Sequence, residues 1–287
     1  MANQYVNKLV KDGVTKFDLT ADTVTAATLA EGVTAHNAAG EQITGTMQGG
    51  LDVNIEFSAG SKTIPDSLFN YNTTITSAII GNSVTTIGKK SFSSCSGLTR
   101  AIIGNNVTSI GDNAFSSCSG LTSITIPDSV TTIGKNAFSY CSGLTSATIG
   151  NSVTSISYYA FYACSSLTSI TIPDSVTTIE DNAFASGRAL TSVIIGNNVT
   201  SIAYQAFHNC RNLTSITIPD SVTSIRGEAF GYCLGLTSAT IGTGITSISN
   251  NAFSNCTNLT TITIDKPSGS ISGAPWGATN ATVVWTG

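Results

Sequence analysis

The chain has 287 residues, of which only 10% are charged, and its formal net charge is −4. An acid excess without a basic stripe excludes a nucleic-acid partner. No apolar run reaches the roughly 18 residues of a membrane-spanning helix, so no membrane insertion is expected. The mean hydropathy of +0.21 reflects many Ile, Val and Ala residues balanced by Ser and Thr rather than by charge.

Taken in chain order, Met1 to Gly13 lacks the apolar core of a secretory signal peptide and is not expected to direct export. Asp22 to Glu31 predicts a short helix with Thr25 as its N-cap. Gly32 to Met47 predicts a hairpin across Asn37 to Gly40, and Gly49-Gly50 marks a joint. Residues 1–50 therefore read as a small α+β module distinct from the rest of the chain.

From Leu51 onward one spacing dominates. Phe69, Phe92, Phe115, Phe138, Phe161, Phe184, Phe207, Phe230 and Phe253 recur every 23 residues without insertion or deletion. Leu98, Leu121, Leu144, Leu167, Leu190, Leu213, Leu236 and Leu259 keep the same step. A period of this length is the mark of a solenoid. Within one copy, Ile124 and Ile126 flank Thr125 in the alternation of a strand with one buried face. Pro127-Asp128 ends that strand, because proline cannot donate to a ladder. Val130 to Ile133 predicts a second short extended piece, and Lys135 to Tyr140 a single helical turn. The turn after the first strand alternates Gly104-Asn105, Pro127-Asp128, Gly150-Asn151, Pro173-Asp174, Gly196-Asn197, Pro219-Asp220, so the duplicated unit spans two copies. No copy can cover its own apolar face; stacking on two neighbours does.

Seven cysteines sit three residues after the repeat phenylalanine, at 95, 118, 141, 164, 210, 233 and 256, and Gly187 takes the missing place. Without a CxxC or Cys/His cluster they predict a ladder of buried thiols rather than a metal site, with stacked disulfides as the alternative. After Ile264 the repeat decays through Asp265-Lys266-Pro267. Ala281 to Trp285 predicts a last strand, with Trp276 or Trp285 covering the final turn. A sugar-stacking platform is the alternative role for the two tryptophans.

Chemistry-bearing motifs are missing. His36 and His208 are the two histidines, and HExxH, GxSxG and P-loop patterns do not occur. Asp128, Asp174 and Asp220 form a row, but each occupies the same turn, where a local Asx-type bond is expected. Catalysis, cofactor and metal are not expected.

The units, such as Ile126–Ala147 (IPDSVTTIGKNAFSYCSGLTSA), resemble the BspA-type leucine-rich repeats over about Leu51 to Asp265. That resemblance implies a mainly β, right-handed leucine-rich-repeat solenoid of short parallel strands and single helical turns. It further implies an adhesive rather than catalytic role at a cell surface. Gly273 to Trp285 is similar to the segment that often closes such repeats. Leu29 to Met47 (LAEGVTAHNAAGEQITGTM) resembles a module at the front of phage and prophage tail or baseplate proteins. It implies attachment to a phage particle through residues 1–50. The expected organisation is an attachment module (1–50), a solenoid (51–265) and a C-terminal cap (266–287).

Copies differ mainly in two windows flanking the phenylalanine. Tyr140, Tyr158, Tyr159, Tyr162, Tyr204, His208, Arg211, Arg226 and Tyr232 fall there and are the expected ligand-facing patch, since such side chains join contact area to polar tips. Relaxed drift at exposed turns is the alternative. Rows such as Ser123-x-Thr125 and Ser146-x-Thr148 solubilise a strand face; they also suit ice binding. The leading expectation is a phage or prophage receptor-binding component that contacts a protein or glycan on a bacterial surface. A bacterial cell-surface adhesin and a structural spacer are the alternatives.

Overall fold

The computed structural model describes residues 8–11, 14–18, 34–36, 42–44, 51–55 and 62–287. Its main body is a solenoid of about ten coils, entirely of strands and turns. Each full coil contributes one longer strand, such as Ser123–Thr125, and one two-residue strand, such as Thr132–Ile133. Both pair in parallel with the same residues one copy away: Ile124 faces Ala147, and Ile133 faces Ile110. Parallel neighbours need a crossover of a dozen or more residues, and here the rest of the coil supplies it. In Ser123–Thr125 the central Ile124 is buried while Ser123 and Thr125 face out, as the alternation predicts.

The third side of the coil differs from expectation. No helical turn forms between Lys135 and Tyr140; the segment is a run of overlapping β-turns. Ala137, Ser139 and Cys141 N–H donate to the carbonyls of Gly134, Asn136 and Phe138, three residues back. The intervening Asn136, Phe138 and Tyr140 N–H donate instead to Tyr158, Ala160 and Tyr162 on the following coil, at 3.0, 2.8 and 2.7 Å. A helix would keep all these donors inside one segment. Sharing them between turn and neighbour adds a third ladder to the stack. It also requires left-handed backbone at Asn136 (φ 55°) and Tyr140 (φ 58°).

The core is built of repeating rows. The Phe rings from Phe69 to Phe253 stack continuously, with centroids 5.1 to 5.4 Å apart. The seven thiols are free and buried. Each donates to the carbonyl of the phenylalanine one coil back, for example Cys118 Sγ to Phe92 O at 3.1 Å and Cys256 Sγ to Phe230 O at 2.9 Å. That carbonyl also accepts the N–H three residues on in its own coil, from a cysteine or, at Phe69 and Phe184, from Asn72 and Gly187, so the thiol occupies its second lone pair. Burial pushes the Cys95, Cys164 and Cys210 thiols up from 9.0 to about 12.

The Asp row corrects a second expectation. The Asp128, Asp174 and Asp220 carboxylates do not close local turns; they accept the N–H of Asn151, Asn197 and Thr243 on the next coil at 2.7 to 2.8 Å. The glycines of these turns have a steric cause. A Cβ on Gly150 or Gly196 would come within 2.4 or 2.5 Å of the Pro127 or Pro173 carbonyl. One set of threonines, including Thr99, Thr122, Thr145 and Thr168, turns its hydroxyls to the backbone carbonyl of the previous coil.

The strand ladders are interrupted twice. The short strands form a set of four ending at Thr132–Ile133 and a set of five beginning at Ser155–Ile156. At that joint the Ser157 hydroxyl donates to Ile133 O at 2.6 Å, a place that the Glu180 and Arg226 N–H take in later coils. The longer strands divide between Ser192–Ile194 and Ser215–Ile218.

At the C-terminus the stack continues past Ile264. Thr282–Trp285 pairs in parallel with Thr261–Ile264. Trp276 is fully buried, donates Nε1–H to Ser272 O at 2.8 Å, and meets Trp285 edge-on at 6.4 Å. The tryptophans act together as the expected cap. Near the N-terminus, Lys8–Lys11 pairs antiparallel with Val14–Asp18, and Thr34–His36 with Gln42–Thr44, the two arms of the expected hairpin. The helix expected at Asp22 to Glu31 lies outside the described residues.

Removing one ring breaks a continuous column. Phe184→Ala is expected to cost about 3–5 kcal/mol in urea unfolding. Gly187→Cys restores the missing rung toward Phe161 O and is expected to add about 1 kcal/mol, read from the same titration. The raised thiol pKa values keep their contribution below pH 9 and lose it as pH rises toward 12, where the unfolded chain ionises first. Melting temperature is accordingly expected to fall steeply above pH 9, and native protein to stay inert to a thiol reagent at pH 8 that titrates all seven cysteines after denaturation.

Candidate recognition ridge

The run of β-turns forms a ridge along the solenoid, and the residues around each ladder phenylalanine line up on it in rows. The row two residues after the phenylalanine includes Tyr71, Ser94, Ser117, Tyr140, Ser186, Asn209, Tyr232 and Asn255, all with positive φ. The row two residues before it includes Asn113, Asn136, Tyr159, Asn182, Gln205 and Glu228, also with positive φ. Left-handed backbone suits Asn and is disfavoured for a bulky ring, at a cost on the order of 1–3 kcal/mol. Tyr71, Tyr140, Tyr159 and Tyr232 occupy it nonetheless, with their rings exposed.

The nine expected patch residues all lie on this ridge or its flanks, but they form two clusters. In the first, Tyr162 is met edge-on by Tyr140 at 5.3 Å and by Tyr159 at 5.4 Å. Tyr158 stands beside them with the Lys135 ammonium 5.2 Å from its ring centroid. Glu180 raises the Tyr158 phenol pKa by its charge, aided by partial desolvation and Asp181, while Arg226 opposes the shift.

The second cluster centres on His208. Its ring meets Tyr232 edge-on at 5.2 Å, and its Nε2 lies 3.6 Å from Glu228 Oε2. Gln205 Nε2 donates to the same oxygen at 2.7 Å. Burial lowers the His208 pKa below 6.5, and Glu228 partly opposes that shift. Tyr204 is exposed, its N–H bonded to Asp181 Oδ1 at 3.1 Å. Arg211 is held on the flank by Asn209 Oδ1, which accepts its Nε–H at 2.7 Å.

Between the clusters the ridge carries Ala185 and Ser186, which present little surface for contact. The first cluster spans the joint in the short-strand ladder and the second the joint in the longer-strand ladder. Sequence comparison of the copies misses Tyr71, which is 75% exposed and shares the register of Tyr140 and Tyr232. Its position two residues after Phe69 is the signal that could have found it. Lys135, Gln205 and Glu228 fall in the variable windows but outside the expected patch, because their roles rest on contacts between coils.

At the turn after the longer strand a hollow of about 510 Å³ lies among Thr125, Pro127, Asp128, Thr148 and Gly150, where the Asp128 carboxylate is already bonded to Asn151. Among the described residues no group of His, Cys, Asp and Glu is arranged to hold a metal ion, and no helix is long and apolar enough to cross a membrane.

The BspA type leucine rich repeat region, as a family model, matches residues 62–191 and 178–275 in six copies. The chain belongs to that family. A leucine-rich repeat protein from Bacteroides ovatus superimposes with a TM-score of 0.50 at 23% identity, covering 82% of this chain and 83% of that one. The leucine rich repeat protein of T. pallidum gives a TM-score of 0.53 at 25% identity, over 63% of this chain and 86% of its own. A comparison with curated proteins finds no match.

His208 provides a test of this geometry. Its folded pKa is depressed, so its contribution to stability is present above 6.5 and is lost as pH falls from there through the lower folded pKa. An NMR titration is expected to place His208 below 6.5, and Glu228→Gln to lower it further by removing the opposing charge.

Proposed function

We propose that this protein is a non-enzymatic adhesion module that contacts a bacterial surface, through a protein or a glycan, with its tyrosine ridge. One observation carries the reading. Tyr140, Tyr159 and Tyr232 hold exposed rings on left-handed backbone where other coils use Asn, Ser, Gln, Glu, Lys or Ala. Large rigid rings with polar tips supply contact area at low conformational cost, which suits recognition and offers the free coil no benefit. Strain at such positions points to function. Membership of the repeat family supports the same reading, because its stacked coils present an extended surface.

Attachment to a phage or prophage particle through residues 1–50 is a narrower reading. It rests on the sequence stretch Leu29 to Met47, and the family match begins only at residue 62. Pull-down of tail or baseplate proteins by residues 1–50 would favour it over a cell-anchored adhesin.

The ridge is tested by replacing Tyr159, Tyr204 and Tyr232 together by Ser. Whole-cell binding is expected to fall at least about tenfold while the melting temperature holds or rises. Unchanged binding would remove the ridge from the reading.

A further inference from the structure

Two rows of the ridge run side by side, one two residues before each ladder phenylalanine and one a residue after it. Their members on one coil are joined by a turn hydrogen bond: Tyr162 N–H to Tyr159 O, Ala185 N–H to Asn182 O and His208 N–H to Gln205 O. On the Phe161 coil the pair is Tyr159 and Tyr162, ring against ring at 5.4 Å. On the Phe207 coil it is Gln205 and His208, which share Glu228 Oε2 at 2.7 and 3.6 Å. On the Phe184 coil between them it is Asn182 and Ala185, the shortest pair of the three. These short side chains make a trough across the ridge, with tyrosine rings on one side and an imidazole on the other. Its flanks are two coils apart, roughly 10 Å at two strand spacings. Contacts of about 3.5–4.0 Å to either flank leave room for one layer of ligand.

One group at the floor lacks a partner. Asn182 is only 8% exposed, whereas Asn113 and Asn136 in the same row keep more surface. Its backbone is satisfied, N–H by Tyr204 O and O by Ala185 N–H. Its side-chain amide makes no hydrogen bond among the described residues. The unbonded polar atoms sealed from solvent are Asn70 Oδ1 and Ser254 Oγ, so the Asn182 amide is not closed in, and the surface it keeps opens on the trough. A nearly buried amide without a partner costs free energy that a hydrogen-bonding ligand recovers. The charges nearby are engaged within the protein: Asp181 Oδ1 accepts the Tyr204 N–H, and Glu228 accepts from Gln205. Burial holds the His208 pKa below 6.5, so the imidazole is neutral at neutral pH. Arg188 is exposed beyond the end of the trough. Phenols, amides and a neutral imidazole suit an uncharged guest with an apolar face and a hydroxyl edge.

We infer that the trough over Asn182 and Ala185 binds one pyranose residue of a neutral surface glycan. The C–H face of the sugar lies against the Tyr159 and Tyr162 side. Asn182 bridges two neighbouring hydroxyls, accepting from one through Oδ1 and donating to the other through Nδ2. The width admits a single ring and excludes a stacked pair. This assignment rests on the ridge being the recognition surface, and it selects a glycan over a protein as what the ridge contacts.

The test uses the full chain and ligand-observed NMR with maltohexaose, cellohexaose, mannohexaose and chitohexaose. At least one is expected to bind, with an affinity that holds as salt rises from about 50 to about 300 mM, because no charge is paired. Asn182→Gly removes the amide and suits the left-handed backbone there (φ 58°), so the melting curve is expected to hold while hexaose binding weakens about tenfold. Ala185→Tyr places in the trough the residue that Tyr162 supplies one coil earlier, and is expected to abolish hexaose binding. Tyr71→Ser, on the same ridge but outside the trough, is expected to leave it unaltered. Failure of all four hexaoses to bind, or an unaltered affinity in Asn182→Gly, overturns the proposal. If whole-cell binding survives periodate oxidation of the cells but is lost after protease treatment and in the triple tyrosine variant, the sugar assignment falls and the ridge stands with a polypeptide partner. If the triple variant also binds whole cells normally, both fall.

Discussion

Everything in this protein depends on the register of one coil upon the next. A copy of 23 residues cannot cover its own apolar face, and it becomes stable only when its strands and turns bond to identical partners above and below. Three ladders enforce that register: the longer strands, the two-residue strands and the β-turns. The last is the least expected. It arises because alternate N–H groups along Asn136 to Cys141 point in different directions, one set inward to the same turn and one set to the next coil. The phenylalanine column and the thiol row result from that alignment, since identical residues are brought to within stacking or hydrogen-bonding distance at every step.

The same constraint shapes the surface. Left-handed backbone is needed at two places in each turn to share the N–H groups between coils. Asn meets that need at least cost, and the other coils place Ser, Gln, Glu, Lys or Ala there. Tyrosine at the same places makes the native state pay for an exposed ring. The two aromatic clusters also lie over the two places where a strand ladder lapses, so contact between coils there leans more on turns and side chains. Architecture and recognition are therefore adjacent in the chain but separable: the buried rows hardly vary, and the ridge varies freely.

Rows also explain how unlike neighbours acquire meaning. Lys135 lies over the Tyr158 ring, while in the same row Asp181 accepts the backbone N–H of Tyr204 on the next coil. In a solenoid each position on the surface is compared with copies of itself, so a change of sign in one row creates a local difference in charge without disturbing the backbone. Such a scaffold can change what it binds by substitution along one row, with no new loop.

The solenoid, its period, the buried Phe, Leu and Cys rows, the strand at Ser123–Thr125 and the tryptophan cap are legible in the sequence. Each rests on spacing and on apolar or β-branched character, which act locally. The helical turn expected at Lys135 to Tyr140 does not form because its hydrogen-bond partners lie 22 residues away, beyond what local propensity can report. The Asp128 bond to Asn151 escapes a sequence reading for the same reason. Tyr158, Tyr204 and His208 are identifiable as variable positions, yet their division into two clusters, and the pairing of Glu228 with Gln205 and His208, come only from the way coils lie on one another. Spacing determines what repeats; the stacked structure alone determines which exposed side chains meet, because those contacts run across the coils rather than along the chain.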